Sequence, residues 1–392
     1  MAGTYRAAPP AGGRLVVNAY SEKWLRQGFP WVYPNEVVAG RPRAGEVVTL
    51  ASERGDVLGV GLADEGWIAA RRFREDAGPV DAVLVAERIA AARRRREGVL
   101  PPRTDAFRLV NAENDDLPGV RVDVWGAHAV VTLDSPALRA LVEPICDALD
   151  AASVHLAFRP DPRDRIEVPA GRLVRGDDPG EVRVEERGVA FLVRPGDGKD
   201  VGLFPDMRDN RAWLQPHWEG RSLLNLFAHT GAFSVCAALG GAETVSVDLS
   251  PAYLERAAAN FRANGLAPHE LLAEDAFKAL DRFRRQGRPF DVVLLDPPGH
   301  SHAKEGVWSG EQDYARLVAA ALRVLRPGGW LVAASNLGSV SPHRFQGMLL
   351  AGAQRAQKRL RLLHDGGQAP DFCAALHFPE GRYLKFMVCV TE

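Results

Sequence analysis

Cysteine, net charge and long apolar runs are all scarce in this chain. Four cysteines (Cys146, Cys236, Cys373 and Cys389) stand in 392 residues without paired spacing, which argues against a disulfide framework or a zinc site and fits a reducing compartment. No apolar stretch approaches the length of a bilayer span. The opening residues, MAGTYRAAPPAGGRLVV, lack the apolar segment of a secretory leader. Forty-nine basic residues against 50 acidic ones leave a formal charge of −1, so the chain as a whole exerts no pull on a polyanion and any nucleic-acid site must be local. These absences predict a cytoplasmic protein with no membrane partner and no metal. The remainder, 46% hydrophobic and 25% charged, is ordinary globular composition over a length that suits two or three domains.

Punctuation divides the chain. Residues 1–12, rich in Ala, Pro and Gly, read as a flexible N-terminus. Residues 13–78, with many β-branched residues and turns such as Tyr33-Pro34-Asn35, read as a small β-barrel-like domain. Residues 79–185 read as an α+β middle domain, with a loop-rich stretch from PDPRDR to GDDPGE. Residues 186–392 alternate strands and helices, the pattern of an α/β domain with a parallel sheet covered on both faces.

The most informative stretch is LLNLFAHTGAFSVCAALGGAETVSVDLS, Leu223 to Ser250. An apolar strand, a small-residue turn at Ala228 to Gly231, a helix, and a second strand ending on Asp248 make half of a doubly wound nucleotide site. In such sheets ligands bind at the carboxyl ends of the strands, where a glycine admits close approach and an acid accepts hydrogen bonds from ribose hydroxyls. The turn has one glycine where a dinucleotide fingerprint needs three. A ribose without a pyrophosphate points to S-adenosylmethionine. Downstream, Asp275 follows Leu271-Leu272, where a third strand would end beside an adenine. FDVVLLDPPGHS then stops on Asp296-Pro297-Pro298. Two prolines cannot donate to a sheet ladder, so the chain leaves the sheet with Asp296 at the cleft. Taken alone, Asp-Pro-Pro is a rigid strand exit; in this order it predicts a methyltransferase.

Two basic clusters are candidate polyanion contacts. Arg71, Arg72 and Arg74 bracket Phe73 at a strand end, a pattern that suits phosphate contact and base stacking but equally a solvated strand end. Arg93 to Arg96 lie near a helix C-terminus, where they complement the helix dipole, which is the simpler reading.

From about Arg14 onward the chain resembles the bacterial 23S rRNA large-subunit methyltransferases, built from an N-terminal PUA domain, a middle α+β domain and a Rossmann-like catalytic domain. The landmarks are PWVYPNEV, LPGVRVD, GLFPDMRDNR, LNLFAHTGAFSV, VDLSPAYLERAAANFRANGL, LLDPPGHS and FPEGRYLKF. The resemblance implies a cytoplasmic enzyme that methylates a base of 23S rRNA, free or in an assembling large subunit, with the PUA-like region holding RNA and with a homodimer possible. It implies a cofactor site made of Asn225, Phe227, Ala228, Thr230, Gly231, Asp248, Leu249, Asp275, Ala276 and Asp296. It places Asp296, Pro297, Pro298 and Asn336 at the reacting base, and turns Arg71, Arg72, Arg74, Arg208 and Arg211 towards RNA.

One departure carries consequences. Cytosine-5 members of this family hold a nucleophilic cysteine in a Ser-Cys-Ser-like run after a Pro-Gly-Gly turn; here RPGGWLVAASNLGSVSPHRF has Asn336 at that place. Cytosine C5 is a poor nucleophile until a thiolate adds to C6, and asparagine cannot add. Cys236 and Cys373 read as packing residues. Ser335-Asn336 beside Asp-Pro-Pro is similar instead to the guanine-N7 branch of the superfamily, where a ring nitrogen needs only orientation towards the methyl donor. Asn336 is equally readable as a turn residue. The expected target is therefore guanine N7 or an exocyclic amine. The alternatives are cytosine-5 chemistry from a displaced cysteine, a small-molecule methyltransferase, and an inactive RNA-binding protein.

Overall fold

The computed structural model describes residues 13–159, 172–198, 200–303 and 306–392. The expected flexible N-terminus and most of the loop-rich stretch after Arg159 lie outside them. The chain forms two compact units. The first takes residues up to Val182 together with Arg194–Val201 and Pro370–Gly381; the second takes Arg183–Val193, Gly202–Ala369 and Arg382–Glu392. Among the described residues no helix is long and apolar enough to cross a membrane.

The first unit holds two sheets. One has six strands in the order Trp31–Val32, Ala70–Arg74, Val57–Ala63, Val47–Ser52, Gly13–Val17, Val37–Ala39. Its strands are rich in Val and Leu, which fill one core with Leu15, Val17, Val32, Val48, Leu50 and Leu58. The close pairing needs Gly59 and Gly61, where a Cβ would come within 2.1 Å of the Arg74 and Arg71 carbonyl oxygens. The other sheet runs Arg172–Arg175, Ser153–Phe158, His128–Leu133, Val120–Trp125, Ala106–Asn111. The helix Ala82–Glu97 starts at Asp81, whose carboxylate caps the Leu84 amide. It buries Leu84, Val85, Ile89 and Ala92 against this second sheet, in a core that also takes Leu62 and Phe73 from the first. The two N-terminal regions expected to meet near residue 78 thus share part of one core and lie within the same compact unit.

The second unit is built on a seven-stranded sheet: β1 Ser222–Leu226, β2 Glu243–Asp248, β3 Glu270–Ala273, β4 Phe290–Leu295, β5 Leu325–Ser335, β6 Leu360–Gly366 and β7 Lys385–Thr391. Their order is 3-2-1-4-5-7-6, and β7 runs antiparallel to both β5 and β6. The parallel strands are apolar on both sides because both faces are covered. Leu224, Leu226, Val293 and Leu295 point into a core with Phe283, Tyr314 and Phe345. Leu223, Val292 and Leu294 point the other way, towards Trp218, Phe233 and Phe386. Five helices connect the strands: α1 Ala232–Leu239, α2 Pro251–Ala263, α3 Ala276–Arg285, α4 Gly310–Ala321 and α5 Pro342–Arg355. Ser250, Asp275 and Ser341 cap α2, α3 and α5, and Pro251 and Pro342 occupy the first turn where a missing N–H costs nothing. This is the expected doubly wound α/β class.

Candidate active site

Strand register brings the candidate residues to one edge. Leu226 is level with Val247 of β2 and with Leu295 of β4, Asp248 is level with Ala273 of β3, and Leu295 is level with Ala333 of β5. The residues that follow, from Phe227 to Gly231, Asp248, Asp275, Asp296 and Asn336, therefore share the carboxyl edge of the sheet, the position at which such folds bind ligands.

The loop after β1 is held in an uncommon conformation. Phe227, His229 and Gly231 have φ of 60°, 51° and 76°, two of them without a glycine's freedom. The loop keeps this shape through bonds outside itself. The His229 amide donates to Asp248 Oδ2 at 2.8 Å, and the Asn260 amide nitrogen donates to the Thr230 carbonyl at 2.9 Å. The Thr230 hydroxyl donates to the Gly202 carbonyl at 2.5 Å. Asp248 Oδ1 takes the Ser250 amide at 2.9 Å. Each carboxylate oxygen thus receives one backbone N–H, which fixes the group and leaves lone pairs for a diol. Next to it Leu249 is 57% exposed, an apolar face at the cleft. Asp275 spends Oδ1 on the Phe277 and Lys278 amides at 2.9 and 3.1 Å.

Several expected roles change. Asn225 is 2% exposed, and its amide nitrogen donates to Ser234 Oγ, so it ties strand to helix. Thr230 is buried and acts by pinning the loop to Gly202. Gly231 is required by its positive φ and by α2: a Cβ there would stand 2.9 Å from that of Ala257. Its need is conformational as much as one of ligand approach.

Asp296 ends β4. Burial first, and the Asp206 carboxylate second, push its carboxyl up to about 7, against the opposing pull of His229 and Arg211. The Tyr314 hydroxyl donates to the carbonyls of Leu295 (3.3 Å) and Ala334 (2.8 Å), tying β4 to β5 one residue before Asp296 and Ser335. Pro297 is buried and Pro298 exposed. Gly299 lets this turn lie against the next loop: a Cβ there would be 2.6 Å from Leu337 Cδ2 and 3.9 Å from Asn336 Oδ1. Asn336 is exposed. Two supporting residues carried no signal of their own in the sequence, Tyr314 and Lys385. Lys385 is buried, and burial lowers its ammonium to about 8.

The expected RNA-contacting arginines are the largest correction. Arg71 is 5% exposed and forms ion pairs with Asp64 (2.9 Å) and Glu113 (3.3 Å). Arg72 is buried against the Leu58 carbonyl and Glu75. Arg211 is clamped by Glu186 through two bonds of 2.7 and 2.6 Å, and Arg208 is fully buried. Arg71 and Arg211 are internal ties, because a guanidinium committed to a buried carboxylate has no free face for phosphate, and Arg72 and Arg208 are themselves buried away from the surface. Arg74 is accessible but joined to Asp76 at 2.6 and 2.9 Å. In the helical run, Arg96 is buried on Asp115, Arg95 also reaches Asp115, and Arg93 and Arg94 are exposed.

No thiol is poised as a nucleophile. Burial pushes Cys236 up to about 12 and Cys389 up to about 11, and it also raises Cys146 and Cys373. Cys373 belongs to the first unit, with Sγ 3.6 Å from Asp115 Oδ1.

Comparison with known proteins fits this geometry. A family model described as S-adenosylmethionine-dependent methyltransferase matches residues 138–376, and one described as a PUA-like domain matches residues 15–74. The fold and site thus define an S-adenosylmethionine-dependent methyltransferase carrying a PUA-like domain. Proteins named ribosomal RNA large subunit methyltransferase I from Shewanella amazonensis and Erwinia tasmaniensis are 32% and 29% identical to it, each over 96% of this chain and 98% of their own. Two solved methyltransferase chains, one complexed with SAH and one from Streptococcus mutans, are 24% identical, with TM-scores of 0.87 and 0.85; each comparison covers 96% of this chain and 99% of theirs. The chain belongs to the ribosomal RNA large subunit methyltransferase I family.

Proposed function

We propose that this enzyme methylates a guanine of large-subunit rRNA at N7, without a covalent protein–RNA intermediate. The observation that carries the reading is the placement of Asp296 and Asn336 just past the ends of the neighbouring strands β4 and β5, in a protein whose thiols are all raised by burial.

When bound, S-adenosylmethionine supplies an electrophilic methyl group on a sulfonium. Asp248 would accept from the ribose hydroxyls, and the exposed Leu249 would pack on the adenine. At the other side of the cleft the base edge meets donors. The amide N–H of Asn336, and the carboxyl O–H of Asp296 while it is protonated, donate to guanine O6 and turn N7 towards the methyl. N7 attacks with its own lone pair: the N7–carbon bond forms, the sulfur–carbon bond breaks, and the positive charge passes to the purine. No proton has to leave N7, so alignment suffices where a cytosine carbon would need a thiolate. Ionised Asp296 would instead accept from an exocyclic amine, which makes that nitrogen the second reading. For RNA contact, Arg93 and Arg94 replace the buried arginines.

Mapping modified nucleotides in large-subunit rRNA from a deletion strain, by nuclease digestion and mass spectrometry, tests this. Loss of one 7-methylguanosine, restored by the purified enzyme, is expected. Loss of a 5-methylcytidine would overturn it.

A further inference from the structure

We infer that Lys385 is the positioning residue of the base-receiving loop: from the first residue of β7 it fixes the backbone around Leu337, and with it the Asn336 amide, against the Asp296–Gly299 turn. This rests on the reading that Asp296 and Asn336 receive the base.

The geometry comes from the antiparallel seventh strand. Lys385 is level with Ser335, the last residue of β5, so its side chain starts beside the point where the chain turns into Asn336. Its Nζ donates to the Leu337 carbonyl at 2.5 Å and to the Tyr383 carbonyl at 2.6 Å. The Leu337 carbonyl also accepts from the Val340 amide at 3.1 Å, so one oxygen ties the loop to itself and to β7. Leu337 is in turn the side chain that packs on Gly299, the end of the Asp-Pro-Pro-Gly turn. Lys385 therefore reaches the turn that follows Asp296 through a single intervening residue.

A buried ammonium is an expensive way to hold a loop. Lys385 is 3% exposed, and no carboxylate pairs with it among the described residues. Desolvation of such a charge is repaid only in part by neutral carbonyls. If packing were all this position required, methionine or leucine would fill it at lower cost. The same short segment also reaches the other side of the site. The Tyr383 hydroxyl donates to Asp206 Oδ2 at 2.7 Å, and Asp206 is the carboxylate whose charge bears on Asp296. Residues 383–385 thus brace both groups that face the base.

The test is Lys385→Met in the full-length protein, which keeps the stem and removes both bonds, with Lys385→Gln as a neutral variant that still donates. Amide hydrogen exchange of peptides covering residues 335–340 is read without RNA. Methylation of rRNA from the deletion strain and cofactor affinity are read alongside. In Lys385→Met, exchange in the loop rises about tenfold or more. The kcat falls between about tenfold and a hundredfold, the scale of a misplaced reactant, while KM for RNA and cofactor affinity stay within about threefold and the melting temperature does not fall. Lys385→Gln lies between Lys385→Met and the wild type. A purely structural lysine would lower stability and leave kcat unchanged in the folded fraction, and that result overturns the inference. Unchanged exchange overturns it whatever the enzyme methylates. Wild-type enzyme that modifies no purine refutes the reading of the target, while the exchange result still decides whether Lys385 clamps the loop.

Discussion

Replacing Asp296 with asparagine separates the energetic cost of this carboxyl from its use. Its folded value is about 7 against an ordinary 3.8, a rise of about three pK units, each worth about 1.4 kcal/mol. Between pH 4 and 7 the native state therefore binds more protons than the unfolded state, and the stability this group contributes falls as pH rises through that window. Asparagine never ionises. Asp296→Asn should match the wild type near pH 4 and exceed it by at most about 4 kcal/mol at pH 8, read as paired denaturant titrations across that range. Asparagine also keeps an N–H donor at every pH. If the acid form of Asp296 donates to guanine O6, the wild-type rate of methyl transfer declines above pH 7 while the variant's rate stays flat. A variant less stable than the wild type at pH 8 would refute the energetic argument. A wild-type rate that rises through pH 7 would refute the donor role and favour an exocyclic amine.

Asp248→Ala should weaken cofactor binding in calorimetry by about 1.5 to 3 kcal/mol per lost charge-assisted bond; unchanged affinity would remove Asp248 from the ribose. RNA containing 5-fluorocytosine should form no gel-shifted adduct, and Cys236→Ser and Cys373→Ser should each turn over within a few fold of the wild type; an adduct abolished by either change would restore cytosine-5 chemistry. Replacing Arg93 and Arg94 together with Gln should make the salt dependence of RNA binding shallower by about 1.4 if both meet single-stranded phosphates, and an unchanged slope would place the RNA elsewhere. Arg71→Gln should act on stability instead, costing about 3 to 5 kcal/mol for a broken buried pair; weakened RNA binding without loss of stability would contradict that role.

The sheet and its ligand edge are legible in the sequence because they are local. The apolar runs of β1, β2 and β4 each end abruptly, on a small-residue turn, on Asp248 and on Asp296-Pro297-Pro298, and chain direction alone brings those ends to one edge. What is not legible is which charges have partners. Arg71 finds Asp64 seven residues away and Glu113 42 residues away; Arg96 finds Asp115 and, 275 residues on, the Asp371 carbonyl. A run of arginines looks alike whether it faces water or a buried carboxylate, and only the fold tells them apart. Asn225 misleads in the same way, since its Ser234 partner appears only once α1 packs on β1. Lys385 stands in the FPEGRYLKF landmark without a visible task, because its acceptors are backbone oxygens that no side-chain pattern announces.

The interleaving of the two units has a consequence for how the protein is made. Residues 370–381 return to the first unit before the chain enters β7. There the Asp371 carbonyl accepts from Arg96, and the Phe378 ring packs 4.8 Å from that of Trp31 and 5.7 Å from that of Phe29. A nascent chain emerging from the ribosome cannot finish its first unit until nearly all of the catalytic sheet has been synthesised. Until then Arg96 lacks one of its acceptors, and Phe29 and Trp31 lack an aromatic neighbour. Completion of the first unit is thereby postponed to nearly the same moment as completion of the catalytic sheet, so the two units reach their final form together rather than in chain order.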